Sequence, residues 1–278
     1  MKLKITHRTE YRYDQPIAYA LQRIRLLPTS GAMQKVGAWS VTVDGAREEA
    51  RFTDHFGNDT RLISVEGEPR TIAIEAAGEI ETYNKAGVIG IHRGFAPLWL
   101  FMRETELTMP GDRTRALAAA VGEAADIARL HQLMALIGEP SPAAEPSAGQ
   151  SQEQGNGASQ SQLQMSSAGQ APVHSSSAGR DHAETFIAAA RLLGFPARYV
   201  SGYLVLDGAA DKAASHAWAE AHVDGLGWVG FDAVNNMCPD ETYVRVTIGR
   251  DHHDAMPVSG IRLGQPEERL AVSITVEQ

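Results

Sequence analysis

From Met1 to about Thr82 the large apolar side chains recur at every second position, a period that a pleated strand satisfies and a helix does not. Leu3, Ile5, Tyr11 and Tyr13 share one parity. Trp39, Val41 and Val43 mark a second run, and Ile72, Ile74 and Ile80 a third. Asp14-Gln15-Pro16, Asp44-Gly45 and Phe56-Gly57-Asn58-Asp59 carry turn chemistry between the runs. A strand with one apolar face has to bury it against another layer, so the pattern predicts an antiparallel, sandwich-like β domain over residues 1–95.

The period changes in residues 96–138. Leu117, Val121, Ala124 and Ala128 recur at helical spacing, Asp112 is a candidate cap, and Gly138 with Pro140 supplies a stop, so one helix is expected from Asp112 to about Ile137. Residues 139–179 are dominated by Ser, Gln, Ala, Gly and Pro, with Leu163, Met165 and Val173 as the large apolar side chains. Burial there is too small to offset chain entropy, which predicts a disordered linker or insertion, or a tether for a partner.

From residue 180 the chain is patterned again. Ala183, Phe186, Ile187 and Ala190 mark an amphipathic helix that Gly194 and Pro196 end. Strands are expected at about 198–206, 216–223 and 227–232, and Leu270, Val272, Ile274 and Val276 alternate in a final one. The whole therefore reads as α+β, with residues 180–278 taken as one core carrying the C-terminal strands.

Composition narrows the function classes. The formal net charge is −9 and Lys and Arg do not cluster, so the electrostatic footprint that a phosphate backbone demands is missing and nucleic acid is excluded as a partner. No run approaches the roughly 20 apolar residues of a membrane span, and no leader-like apolar stretch follows the basic start; the expectation is a cytoplasmic protein with no membrane partner. Cys238 is the only cysteine, which rules out an internal disulfide or a Cys-rich zinc cluster.

The chemistry concentrates in one hairpin. His216, Trp218, Glu220 and His222 share one face of a strand and alanines the other; Asp224-Gly225-Leu226-Gly227 turns the chain, and Gly227–Asp232 returns. That turn length sets Asp232 opposite residues 216–219, within cross-strand reach of His216. An imidazole beside a carboxylate serves acyl transfer, and equally occurs as a structural pair. A metal held by His216, Glu220 and His222 is rejected: residues four apart on a strand are roughly 13 Å apart, while ligands must converge within about 2 Å of one ion. Asp251-His252-His253-Asp254 reads as a solvated loop, so neither a metal nor a cofactor is expected.

Asp181-His182-Ala183, the run Leu193–Tyr203 (Leu-Gly-Phe-Pro-Ala-Arg-Tyr-Val-Ser-Gly-Tyr), Ser215-His216-Ala217-Trp218 and Gly227–Asp232 stand in an order that resembles the bacterial transglutaminase-like superfamily core. The front half is similar to the β domain that accompanies that core, through His7–Tyr13, Leu26-Leu27-Pro28 and Asp54–Asn58. The tail, through Tyr243–Val246, Gly249–Asp251 and Pro257–Gly260, also fits. The resemblance implies a papain-like fold in which a thiolate at a helix N-terminus attacks an amide carbonyl, His216 acts as base and acid, and Asp232 orients it. Trp218 and Tyr203, within the same motifs, are the candidate substrate-binding residues, and a peptide or protein amide is the implied ligand.

The family's nucleophile is missing. Its Gly-Val-Cys-Gln-Asp aligns Asp181 with the Asp and puts Gly179 at the cysteine, or else the segment is deleted; the family's second His is Glu184 here. Ser175, Ser176 and Ser177 belong to a serine-rich linker, and Cys238 sits in a downstream family segment, so neither reads as a relocated nucleophile. Three readings follow: a catalytically impaired pseudoenzyme that keeps a peptide- or amide-binding cleft, an amide hydrolase or acyltransferase with a non-standard nucleophile, and a scaffold.

Overall fold

The computed structural model describes residues 1–139, 177–206, 213–264 and 267–277. It is mostly β with few helices: thirteen strands and three α-helices among the described residues. None of those helices is long and apolar enough to cross a membrane.

Strands β1 (Lys2–Tyr13), β2 (Tyr19–Ile24), β3 (Gln34–Val43), β4 (Ala46–Thr53), β5 (Asp59–Glu66) and β6 (Thr71–Thr82) occupy the region of two-residue alternation. On β1 the parity of Leu3, Ile5, Tyr11 and Tyr13 is buried, as are Ile72, Ile74 and Ile80 on β6. Gly45 and Gly57 take positive φ, +69° and +96°, at two of the turns foreseen from sequence.

Where the strands find partners is less local. One four-stranded sheet runs β13-β1-β6-β3 and another β12-β2-β5-β4, where β12 is Val258–Leu263 and β13 is Glu268–Glu277. Sequence order had grouped these last strands with the core; pairing puts Leu270 opposite Tyr11 and Val258 opposite Ile24 instead. Each closes the edge of an N-terminal sheet, whose unpaired N–H and C=O groups would otherwise face solvent. The two sheets contribute Tyr11, Ile72 and Ile74 on one side and Ile24, Ile63 and Val65 on the other to a single apolar cluster.

The expected single helix over 112–137 is two: α1 (Asp112–Ala120) and α2 (Asp126–Gly138). Val121 is extended (φ −71°, ψ 117°), Gly122 N–H bonds the Gln132 side chain, and Gly111, not Asp112, occupies the cap position. Short 3₁₀ turns, Leu98–Met102 and Glu106–Thr108, precede them. The proposed linker over 139–179 lies outside the described residues from 140 to 176.

The third sheet has the order β11-β8-β9-β10-β7, from β7 (Val88–Gly90), β8 (Ala197–Val205), β9 (Ala213–Val223), β10 (Gly227–Phe231) and β11 (Tyr243–Gly249). Helix α3 (Ser177–Leu192) lies against it, starting before Ala183, the first of its apolar positions. Gly194, at φ +92°, ends it, with Phe195 N–H returning to the Ala190 carbonyl. Phe186, Ile187 and Ala190 pack on the alanine face of β9, Ala217, Ala219 and Ala221. The face carrying His216 and Trp218 is thereby left to the other side of the sheet.

The N-terminal sheets and this core are joined by buried polar contacts. Asn58 bonds both the N–H and the carbonyl of Ile248, at 3.0 and 2.9 Å, and Gln34 does the same for Arg245 at 2.9 and 2.8 Å. Leu3, Ile5 and Ile80 meet Tyr203, Val205 and Val244 in one apolar seam.

Candidate active site

The hairpin β9–β10 pairs Phe231 with Ala219, so the next residue, Asp232, comes level with Trp218 and diagonal to His216. The strand stops there because residues 232–237 close on themselves: Asp232 and Met237 exchange both main-chain hydrogen bonds, at 2.9 and 3.1 Å, with Asn236 at φ +50°. This clasp holds the carboxylate in place from behind.

His216 Nε2 and Asp232 Oδ2 are 2.6 Å apart, and both residues are buried. The same oxygen accepts from Tyr243 Oη and Asn235 Nδ2, each at 2.7 Å, while Oδ1 accepts the N–H groups of Val234 and Asn235. Burial pushes the Asp232 carboxyl up, but the bonds and charge from His216, then those from Tyr243 and Asn235, outweigh it and hold the group below its ordinary value. Burial also raises the Tyr243 hydroxyl, with the neighbouring carboxylate adding to it, so Tyr243 remains a donor. With Nε2 engaged by Asp232, Nδ1 is the ring nitrogen turned away from the carboxylate, the one that could exchange a proton with a reactant.

Asn235 and Tyr243 belong to this site although sequence reasoning gave them no role. Their signal was faint: Asn235 lies three residues past Asp232, and Tyr243 opens a motif that had been noted only for its resemblance.

Trp218 sits beside His216, ring centroids 6.2 Å apart, and meets Tyr243 edge-on at 5.4 Å. The indole lies on Gly202, where a methyl group would come within 2.8 Å of it and 2.1 Å of the Val244 carbonyl, which explains the glycine in Tyr199-Val200-Ser201-Gly202-Tyr203. The Trp218 indole N–H is buried and has no acceptor. Tyr203, proposed from sequence to bind substrate, does not face a cleft. It is 2% exposed, packs in the seam between the N-terminal sheet and the core, and pairs with His7 Nδ1 at 2.7 Å.

The residues expected from sequence at the nucleophile position lie at the start of α3. Gly179 is buried in the first turn of α3. Beside it Arg180 pairs with Asp181 at 3.8 Å and His182 Nδ1 takes the Ala178 carbonyl at 2.6 Å. Glu184 follows; burial, moderated by Arg180, moves its carboxyl up to about 7. Ser175 and Ser176 lie outside the described residues, as does the side chain of Ser177. Cys238 packs with the apolar cluster between α3 and the sheet, against Gly87, on the opposite layer from the Trp218–Tyr243 cluster that surrounds His216, and burial raises its thiol. That environment disfavours a thiolate.

Among the described residues no three His, Cys, Asp or Glu side chains could hold a metal ion together. The Asp251–Asp254 stretch, expected as a solvated loop, is a packed turn. Asp251 is buried and accepts the Asp254 N–H at 2.9 Å, and the His252 ring meets Tyr199 edge-on at 5.7 Å. Burial lowers His252 to about 4.

Residues 3–81 match the model of the bacterial transglutaminase-like N-terminal region, and residues 155–233 match that of the transglutaminase-like superfamily. The chain is a transglutaminase-like protein. Uncharacterized proteins of Mycobacterium leprae and Mycobacterium tuberculosis are each 25% identical to this transglutaminase-like chain, over 99% of its length and 98% and 92% of theirs. The crystal structure of a Cytophaga hutchinsonii protein provisionally named a cysteine protease superposes with a TM-score of 0.63, covering 99% of this chain and 90% of that one at 18% identity. At that identity the likeness speaks for the fold alone. Within the matched core, His216 and Asp232 are paired, and the first turn of α3 holds no cysteine.

Proposed function

We propose that this transglutaminase-like protein is a catalytically impaired pseudoenzyme, in which a papain-like core behind a sandwich-like N-terminal unit binds a peptide or protein amide without cleaving it. The observation that carries the reading is a buried His216–Asp232 pair, its carboxylate saturated by donors, in a core whose α3 first turn carries no thiol. Covalent acyl transfer splits one difficult step into two and needs a nucleophile within about 3 Å of the base. Gly179 has no side chain, and Cys238 lies in a different layer of the core with its thiol raised. Asp232, committed to three donors on one oxygen, keeps the clasp and the wall of the cleft in shape whether or not any proton moves.

The test is an assay of the purified protein for ammonia release and amine incorporation on glutamine peptides, and for cleavage of peptide amides, beside His216→Ala. No turnover above background in either, with binding of peptide amides retained in the parent protein, is the expected result. Turnover that disappears in His216→Ala would overturn the proposal and establish an active hydrolase or acyltransferase with a non-standard nucleophile.

A further inference from the structure

On the sheet face that carries His216, a hollow of about 660 Å³ opens between the N-terminal unit and the core. Its wall includes Arg198 of β8, Trp228 of β10, Arg245 of β11 and Arg93 of the loop after β7. A narrower recess continues from it past Arg245 to Glu220, Trp218 and Tyr243, the two aromatic residues against which the His216 ring rests.

The charge in this hollow does not balance. Three guanidinium groups, of Arg93, Arg198 and Arg245, meet one carboxylate, Glu220, leaving two positive charges in a chain whose formal net charge is −9. Glu220 is fully buried and its Oε2 accepts from Arg198 at 2.6 Å. Its Oε1 lies 3.0 Å from Arg245 Nε, yet the two are not aligned for a hydrogen bond. Arg198 is buried with its guanidinium 3.8 Å from the centre of the Trp228 ring, which fixes a planar cation at the wall. Arg93 is exposed and makes no ion pair among the described residues. One carboxylate can anchor a structural pair, and cannot neutralise three cations. The Trp218 N–H, buried without an acceptor, adds a donor-bearing side chain to the recess wall.

Apolar side chains are exposed on the segment that brings Arg93 to the hollow: Ile91, which lines it, is 69% exposed, and Phe95 and Trp99, farther along the same segment, are 84% and 60% exposed. Cations inside with large apolar side chains beside them fit a peptide better than a bare anion, because an inorganic ion would leave those side chains unused.

We propose that this hollow recognises a carboxylate. The cleft takes a peptide with an acidic side chain or free C-terminal carboxylate seated on Arg93 and Arg245, and large apolar residues resting on Ile91, Phe95 and Trp99. This rests on the peptide-binding reading above and names the class of peptide.

The test is calorimetric titration of the full chain with three probes: an acetylated Phe-Leu-Gln-Glu peptide with a free C-terminus, the matched Phe-Leu-Gln-Gln amide, and inorganic phosphate. The expected result is that the acid binds about tenfold or more tightly than the amide, as charge-assisted hydrogen bonds dictate, and weakens as salt is raised. Arg245→Gln and Arg93→Glu should each narrow that preference to about threefold or less by weakening the acid more than the amide. Arg93 makes no ion pair among the described residues, so the second variant keeps the test open if the first does not fold. Equal binding of acid and amide, an unchanged preference in the folded variants, or phosphate binding as tightly as the acid would overturn the carboxylate site and leave the peptide cleft standing. Failure of both peptides to bind would overturn the cleft itself.

Discussion

Lowering the pH should loosen the seam between the N-terminal sheet and the core, with His7 as the group responsible. His7 is 5% exposed; its Nδ1 pairs with Tyr203 Oη at 2.7 Å and its Nε2 with Thr9 Oγ1 at 3.0 Å, an arrangement for a neutral ring. Burial lowers its pKa from 6.5 to about 4. Between these values the unfolded chain holds a proton that the folded protein refuses, so stability falls as the pH drops through this window and rises as it climbs back. At about 1.4 kcal/mol per pH unit the full effect is roughly 3 kcal/mol, of which about 2 kcal/mol is lost by about pH 5. The assay is urea denaturation of the parent and His7→Gln across this range. Other groups titrate there too, His252 with the same sign and Glu184 with the opposite one, and the difference between parent and variant cancels them. At neutral pH the variant should be less stable by about 1 kcal/mol for the lost Tyr203 bond. That gap should close and reverse by about pH 5. Parallel stability curves would refute the assignment of a neutral, buried His7.

Three further outcomes are expected. Gly202→Ala forces a methyl group against the Val244 carbonyl and the Trp218 ring, and should cost about 3 kcal/mol and alter the tryptophan fluorescence, measured by thermal denaturation and emission spectra. Arg191→Met removes four hydrogen bonds, to the Phe101, Ala197 and Arg250 carbonyls and the Thr108 hydroxyl. The loss should be about 3 kcal/mol or more in denaturant, with faster proteolysis near residues 98–108. Asp232→Ala leaves His216, Asn235 and Tyr243 without their acceptor and should destabilise by about 3 kcal/mol or more. Because the Asp232 pKa is depressed from 3.8, its stabilisation is present above that value and fades as the pH falls through the folded-state value. The variant's denaturation curve should therefore lack this acid-side loss.

Two local periodicities and one turn made much of this protein legible before any coordinates. Alternation identified the buried faces of β1 and β6, and the length of the turn at Asp224–Gly227 was enough to bring Asp232 within reach of His216, because hairpin register follows loop length. The absence of a thiol at the helix start was likewise a matter of reading residues in order. Helix boundaries were less legible: Val121 fits the helical spacing yet is extended, and the Gly122 N–H beyond it bonds the Gln132 side chain of the next helix.

What only the tertiary structure decided is partnership. A two-residue period says that a side chain is buried and is silent about what covers it, so pairing between distant parts of the chain, Tyr11 with Leu270 and Val229 with Val88, had no local signature. The same holds for single side chains. Tyr203 looked like part of a cleft and is a bolt to His7, while Tyr243 and Asn235 looked incidental and complete the shell of Asp232. The gathering of Arg93, Arg198 and Arg245 around one hollow belongs to this second kind, since charges far apart in the chain add their fields only once folding sets them side by side.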